Sequence, residues 1–178
     1  MAELDLVHYT EVKPHYFKMV VWRIFNATVF PLLPRSLRTM SLRLFGAKIG
    51  KICLFSRLSK FYAPWNFRCG NAVCIGPRAE VYNKDLVEVG SNVIISQNAW
   101  ICTASHDINS PRMELKARPI RIGDNAWIAA KAAILPGVEI GDGAVIGACS
   151  VVAKNVEPWM VVVGDPAMVK GRRVLRNA

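Results

Sequence analysis

Apolar side chains recur every six residues over the second half of the chain, at Ile122, Ile128, Ile134, Ile140, Ile146 and Val152. Four residues after each stands a small or β-branched side chain: Ala126, Ala132, Val138, Ala144, Ser150 and Val156. Glycine follows directly at Gly123, Gly141 and Gly147. The frame extends upstream through Val89, Ile95 and Ile101, with Val93, Ala99 and Ser105 at the second position, and through Ile75 and Val81. A weaker frame runs back through Ile49, Phe55, Phe61 and Phe67, with steps of eight from Phe67 to Ile75 and from Val81 to Val89. A period of six is neither the ~3.6-residue turn of a helix nor the ~2-residue repeat of a strand. It predicts a solenoid in which each unit is a short strand plus a corner, with its first and fifth residues pointing inward. Glycine at the second position is read as conformational freedom for a tight corner. Stacked coils then satisfy one another's backbone groups as parallel strands do.

The N-terminal part follows another rule. Residues 15–30 put Phe17, Val20, Val21 and Ile24 on one helical face, with Lys18, Arg23 and Asn26 opposite. Pro34 opens a second helix and Gly46 ends it. On that helix Leu37, Met40 and Leu44 face one way and Arg35, Arg38 and Arg43 largely elsewhere. The expected role is a cap over the open end of the solenoid, which a repeat fold requires. Contact with a membrane through residues 15–45 is the sharper alternative. The chain thus divides into a helical segment 1–48, a repeat region 49–156 and a short tail 157–178.

Composition supports a folded chain: 52% of the 178 residues are hydrophobic and 20% charged. The net charge of +10 is unevenly placed. Residues 12–79 hold 12 basic and no acidic side chains, while residues 80–178 are almost balanced. Such a stretch suits anionic lipid or a phosphorylated ligand. Its aromatics follow apolar faces and no recognition motif appears, so nucleic acid is not expected as a partner. The five cysteines are odd in number and form no CxxC pair, which argues against a disulfide framework or a zinc ribbon. A reducing compartment fits, and no secretory signal or run of ~20 apolar residues is visible, so the expectation is a cytoplasmic protein.

The repeats IRIGDNAWIAAKAAILPGVEIGDGAVIGACSVVAKNV (120–156), followed by VVVGDPA (161–167), closely resemble those of the hexapeptide-repeat acyltransferases. RLFGAKIGK (43–51) and VIISQNAWICTASHD (93–107) are similar to a narrower group, the colanic-acid type of exopolysaccharide O-acetyltransferase. The resemblance implies an all-β, left-handed parallel β-helix with three units per coil. It also implies a homotrimer and transfer of acetyl from acetyl-CoA to a saccharide hydroxyl in surface-polysaccharide synthesis.

The frame breaks most widely between Ile101 and Ile122, where residues 107–121 (DINSPRMELKARPIR) form an inserted loop. His106 stands at its start and is the one histidine of the repeat region. In the resembling family a histidine there is the catalytic base, and an imidazole is suited to take a hydroxyl proton near neutral pH. Asp107 reads as a loop carboxylate, with orientation of His106 as the alternative. Cys102 reads as a packed residue. At the Val81–Val89 break, Tyr82, Asn83 and Asp85 are candidate acceptor-binding residues, one coil below the His106 wall. The resemblance carries the CoA contacts to Ala130, Ala148, Ala153 and Lys154, with Ala130 also supplying an oxyanion donor from a neighbouring subunit. Arg172, Lys170 or Arg173 would take the place of arginines usual in the tail. Ala129 and Cys149 replace two glycines common in the family. No metal is expected: the carbonic anhydrases built on this fold need three histidine ligands, and the repeat region has one. A small acceptor (free sugar, serine or an antibiotic) and a non-catalytic scaffold stay open as alternatives.

Overall fold

A computed structural model describes residues 16–175. The repeat forms a parallel β-solenoid whose coils stack three faces. The first face comprises Lys48–Ile49, Phe67–Cys69, Val87–Val89, Ile120–Ile122 and Glu139–Ile140. The second runs from Leu54–Phe55 to Val145–Ile146 and is continued by Met160–Val163. The third runs from Lys60–Phe61 through Glu80–Tyr82, Trp100–Cys102 and Ala133–Ile134 to Val151–Val152. About six coils result, and mostly β-branched residues fill the inward column of each face, where they pack well on the pleated surface, with Phe55 and Phe61 in those places in the first coil. Ile75, Ile95, Ile128 and Ile146 form one such column, each at most 1% exposed. The small residues Ala79, Ala99, Ala132 and Ala144 fill the narrow angles between them.

Three details depart from the sequence reading. The first step of eight lies between Phe61 and Cys69, not after Phe67: Cys69 is in register with Ile49 and Val89, and a short turn at Pro64–Asn66 takes up the extra residues. Phe67 is still fully buried, in register with Val87 and Ile120. Next, the glycines after the inward residue do not supply left-handed backbone. That conformation falls three residues after the inward position, at Arg78, Asn92, Asn98, Asn125, Lys131 and Cys149 among others. Gly137 and Gly143 take the same place in two coils, and asparagine is among the side chains that tolerate it best, which explains its recurrence there. The glycines after the inward residue serve close approach instead: a Cβ on Gly123 would lie 2.7 Å from the Asp142 backbone nitrogen. Lastly, Ser105 is exposed, because the chain leaves the solenoid before it would turn inward.

Two helices close the lower end, α1 (Tyr16–Thr28) and α2 (Arg35–Leu44). Pro34 caps α2 and Gly46, at φ +103°, follows its end. The sealing residues are Trp22, Phe30 and Leu42, all fully buried, with Phe25 and Phe45 packed beside them. Trp22 Nε1 donates to Phe61 O at 2.7 Å, tying the cap to the first coil. The face expected to seal the solenoid (Phe17, Val20, Val21, Ile24) points to solvent instead, with Phe17 81% and Ile24 62% exposed. In the tail, Met160–Val163 extends the second face and pairs antiparallel with Met168–Arg172.

Candidate active site

All three breaks in the period fall at one corner, where the chain passes from the third face back to the first. There the coils are built on one another. The Asn83 side chain accepts from Ala63 N at 2.9 Å and donates to Ala63 O at 2.6 Å. Asn66 Nδ2 donates to Lys84 O at 2.9 Å. One coil higher, the buried Thr103 accepts from Asp85 N at 3.0 Å and donates through Oγ1 to Tyr82 O at 3.2 Å. This stack is the base on which the inserted segment stands.

The insertion is a β-hairpin. Ala104–His106 pairs antiparallel with Leu115–Ala117, with His106 opposite Leu115. Arg118 N returns to Thr103 O at 2.8 Å, and the chain rejoins the first face at Ile120, inside the span read as loop. Asp107 Oδ1 accepts from Asn109 N and Asp107 Oδ2 pairs with Lys116 Nζ at 2.6 Å. The hydrogen bond to Lys116 holds the Asp107 carboxyl below the usual carboxylate range. Asp107 thus braces the hairpin, while the partner of His106 Nδ1 is Met113 O at 2.6 Å. Met113 lies in the left-handed region at φ +47°, which carries its carbonyl back toward the imidazole. Facing a carbonyl, Nδ1 is the protonated nitrogen, and the lone pair of the neutral ring sits on Nε2. His106 is exposed beside a recess of about 420 Å³ lined by Asp107, Ile108, Lys116, Arg118 and Pro136. Met113 was not legible in the sequence: nothing in PRMEL marks a carbonyl acceptor.

The other expected residues lie as follows. Asn83 is fully buried, so its amide holds the corner and does not reach a ligand. Tyr82 is half-buried, packed edge-on to Tyr62, and Asp85 uses its carboxylate on Leu86 N. Cys102 is buried, donates to Ala104 O, and burial pushes its thiol up, which keeps it protonated and unreactive. Ala153 and Lys154 are exposed at the hairpin's own corner, two coils above it, since Ile101, Ile134 and Val152 stack in register. Ala130 and Ala148 stack at a different corner, between the second and third faces, joined by Cys149 N to Ala130 O at 2.9 Å. Within one chain the candidate residues therefore split between two edges of the solenoid. Arg172 is exposed in the last strand, whereas Arg173 donates to Asn125 O and Gly143 O and is part of the scaffold. Among the described residues no cluster of three His, Cys, Asp or Glu side chains is placed to hold a metal.

The outer surfaces of the faces also differ. On the first, Arg68, Glu88, Arg121 and Glu139 form a ladder of ion pairs at 3.2, 3.4 and 2.7 Å. On the second, the corresponding column reads Leu54, Cys74, Ile94, Trp127, Val145 and Val161, with Ile94 49% and Trp127 44% exposed.

A parallel solenoid with a histidine-bearing hairpin defines a class. The model of bacterial transferase hexapeptide repeats (six repeats) matches residues 119–154. WcaF of Escherichia coli K12, named as an acetyltransferase of colanic acid biosynthesis, is 38% identical over 160 residues, 88% of each chain. A galactoside acetyltransferase solved with coenzyme A superposes with a TM-score of 0.82, at 25% identity over 92% of this chain and 84% of that one. A hexapeptide-repeat acetyltransferase of Vibrio cholerae, solved with acetyl coenzyme A, shares the fold with a TM-score of 0.79 at 24% identity, over 88% and 85%. The chain belongs to the hexapeptide-repeat transferase family. Within it, it is an acetyltransferase of the WcaF kind.

Proposed function

We propose that the protein transfers acetyl from acetyl-CoA to a hydroxyl of a saccharide in surface-polysaccharide synthesis, with His106 as the general base. The observation that carries this reading is the His106 Nδ1 to Met113 O contact at 2.6 Å, which sets the tautomer a base requires. His106 Nε2 takes the proton as the acceptor oxygen attacks the thioester carbon. The C–S bond then breaks and the CoA thiolate leaves, taking up the proton held by His106. Saccharide as acceptor is supported by the names of WcaF and of the galactoside enzyme.

The split of candidate residues between two edges supports a site shared between copies. Ala130 and Ala148 themselves present only methyl groups on that edge, where a pantetheine chain could lie against backbone groups. Lys154, near the hairpin, would meet phosphate. The apolar column on the second face supports a homotrimer closing those edges on one another. In this reading the enzyme works in the cytoplasm, at the inner face of a membrane, where a lipid-linked glycan presents its hydroxyls. Among the described residues no helix is long and apolar enough to cross a membrane.

The test is calorimetric titration with acetyl-CoA, with ADP as the control, followed by thiol release with a panel of oligosaccharides. Acetyl-CoA should bind more tightly than ADP at moderate salt, and at least one saccharide should release thiol. Binding that vanishes with salt, as for an unspecific basic patch, would count against it.

A further inference from the structure

The first helix is apolar on both sides. One side is buried against the first coil through Met19 and Trp22. The other carries Phe17, Val20, Val21 and Ile24, exposed by 36% to 81%. Lys18 and Arg23 lie between these two apolar sides, and the solenoid covers only one of them. Leu32, beyond the end of α1, and Leu44 of α2 add exposures of 83% and 78%. Cations flank this apolar end: Arg35 on α2, and Lys48, Lys51, Arg57 and Lys60 around the first coil are all exposed. No acidic side chain occurs between residues 16 and 79.

We propose that this end of the molecule docks on a bilayer bearing anionic lipid headgroups. Phe17 and Ile24 would enter the headgroup–acyl boundary while the surrounding Lys and Arg meet lipid phosphates. The charge pattern selects this occupant: two copies apposed through the same patch would set cation against cation, whereas an anionic plane pairs with all of them at once. This deepens the membrane-side reading above and does not depend on the transfer chemistry. It gives the solenoid a polarity, with a lipid-bound lower end and the His106 hairpin held two coils above the first.

The test is co-sedimentation of the full chain with phosphatidylcholine vesicles, with and without phosphatidylglycerol. Phe17→Glu, Ile24→Glu and the Arg35→Glu/Lys51→Glu pair are run alongside, each checked by thermal melting. All four positions are exposed, so the melts should match the parent. The expected result is binding to the mixed vesicles only, lost with either apolar substitution and weakened about fivefold per cation removed. No binding, or equal binding to neutral vesicles, overturns the proposal. So does a fall in sedimentation coefficient in the substituted proteins without vesicles, which would assign the face to a second copy. Loss of stability on substitution overturns it too, by assigning the face to residues before Tyr16. Where melting and sedimentation match the parent, acetyl transfer to a soluble oligosaccharide, measured without vesicles, is expected at the parent's rate.

Discussion

Two corners of the solenoid follow opposite rules. Where the first face turns into the second, every coil repeats one solution. Gly50, Gly70, Gly90, Gly123 and Gly141 stack in a column, and the side chain after each of the upper glycines accepts a backbone N–H from the coil before. Lys51 N donates to Asn71, Asn71 N to Ser91, Ser91 N to Asp124 and Asp124 N to Asp142, at 2.6 to 3.1 Å. Where the third face turns into the first, no two of the lower coils agree: a 3₁₀ turn at 64–66, a bulge at 83–86, then the hairpin. The regular corner has no room for change, since any Cβ would meet the next coil's backbone. The irregular corner bonds each departure to the one below it and can therefore carry an insertion. Rigidity is built into the repeated corner, and the proposed base stands at the interrupted one.

Substitution at the interrupted corner should cost the most activity. His106→Ala should lower turnover by about 10²–10⁴-fold, with the melting temperature unchanged, because the side chain is exposed. Thiol release and a thermal melt on the same sample would check it, and a variant that unfolds would erase the contrast. At the repeated corner the pattern should invert. Gly123→Ala should destabilise by about 1–3 kcal/mol in denaturant unfolding, with turnover per folded molecule intact. A smaller loss, about 1 kcal/mol, is expected for Asp142→Ala, which removes the acceptor for Asp124 N. The smallest effect concerns the brace of the hairpin. The Asp107–Lys116 tie is present while the carboxyl is ionised and is lost as pH falls through its depressed folded value. Lys116→Ala should raise the Asp107 pKa toward the ordinary range, as read by NMR titration, and an unmoved value would show that Lys116 is not the cause.

The sequence carried the repeat because the buried positions tolerate few residue types, and at Ile122 through Val152 every expected inward side chain is buried. The same logic failed at Phe67, where a second inward aromatic lies two residues before the true frame position, so the period alone misplaced the break. It failed on α1 because apolar residues occur on both sides of the helix, and a periodicity does not say which side the solenoid takes. At the site, the position of His106 at the start of the insertion was legible from the lost period. Met113 was not, since a backbone carbonyl leaves no mark in residue type. Asn83 was legible as a corner residue, but its polarity satisfies a buried backbone rather than a ligand.

In the proposed site the interrupted corner of one copy works with the second-to-third corner of another. Mixing two variants tests it: His106→Ala and Ala130→Trp, each inactive alone and each melting like the parent, are dissociated together and reassembled. In a cyclic trimer formed at random from an equal mixture, about a quarter of the sites join an intact His106 to an intact Ala130 edge. Turnover should recover to about a quarter of the parent's. Mixed assemblies that form but stay inactive would contradict it, and would place the whole site within a single chain.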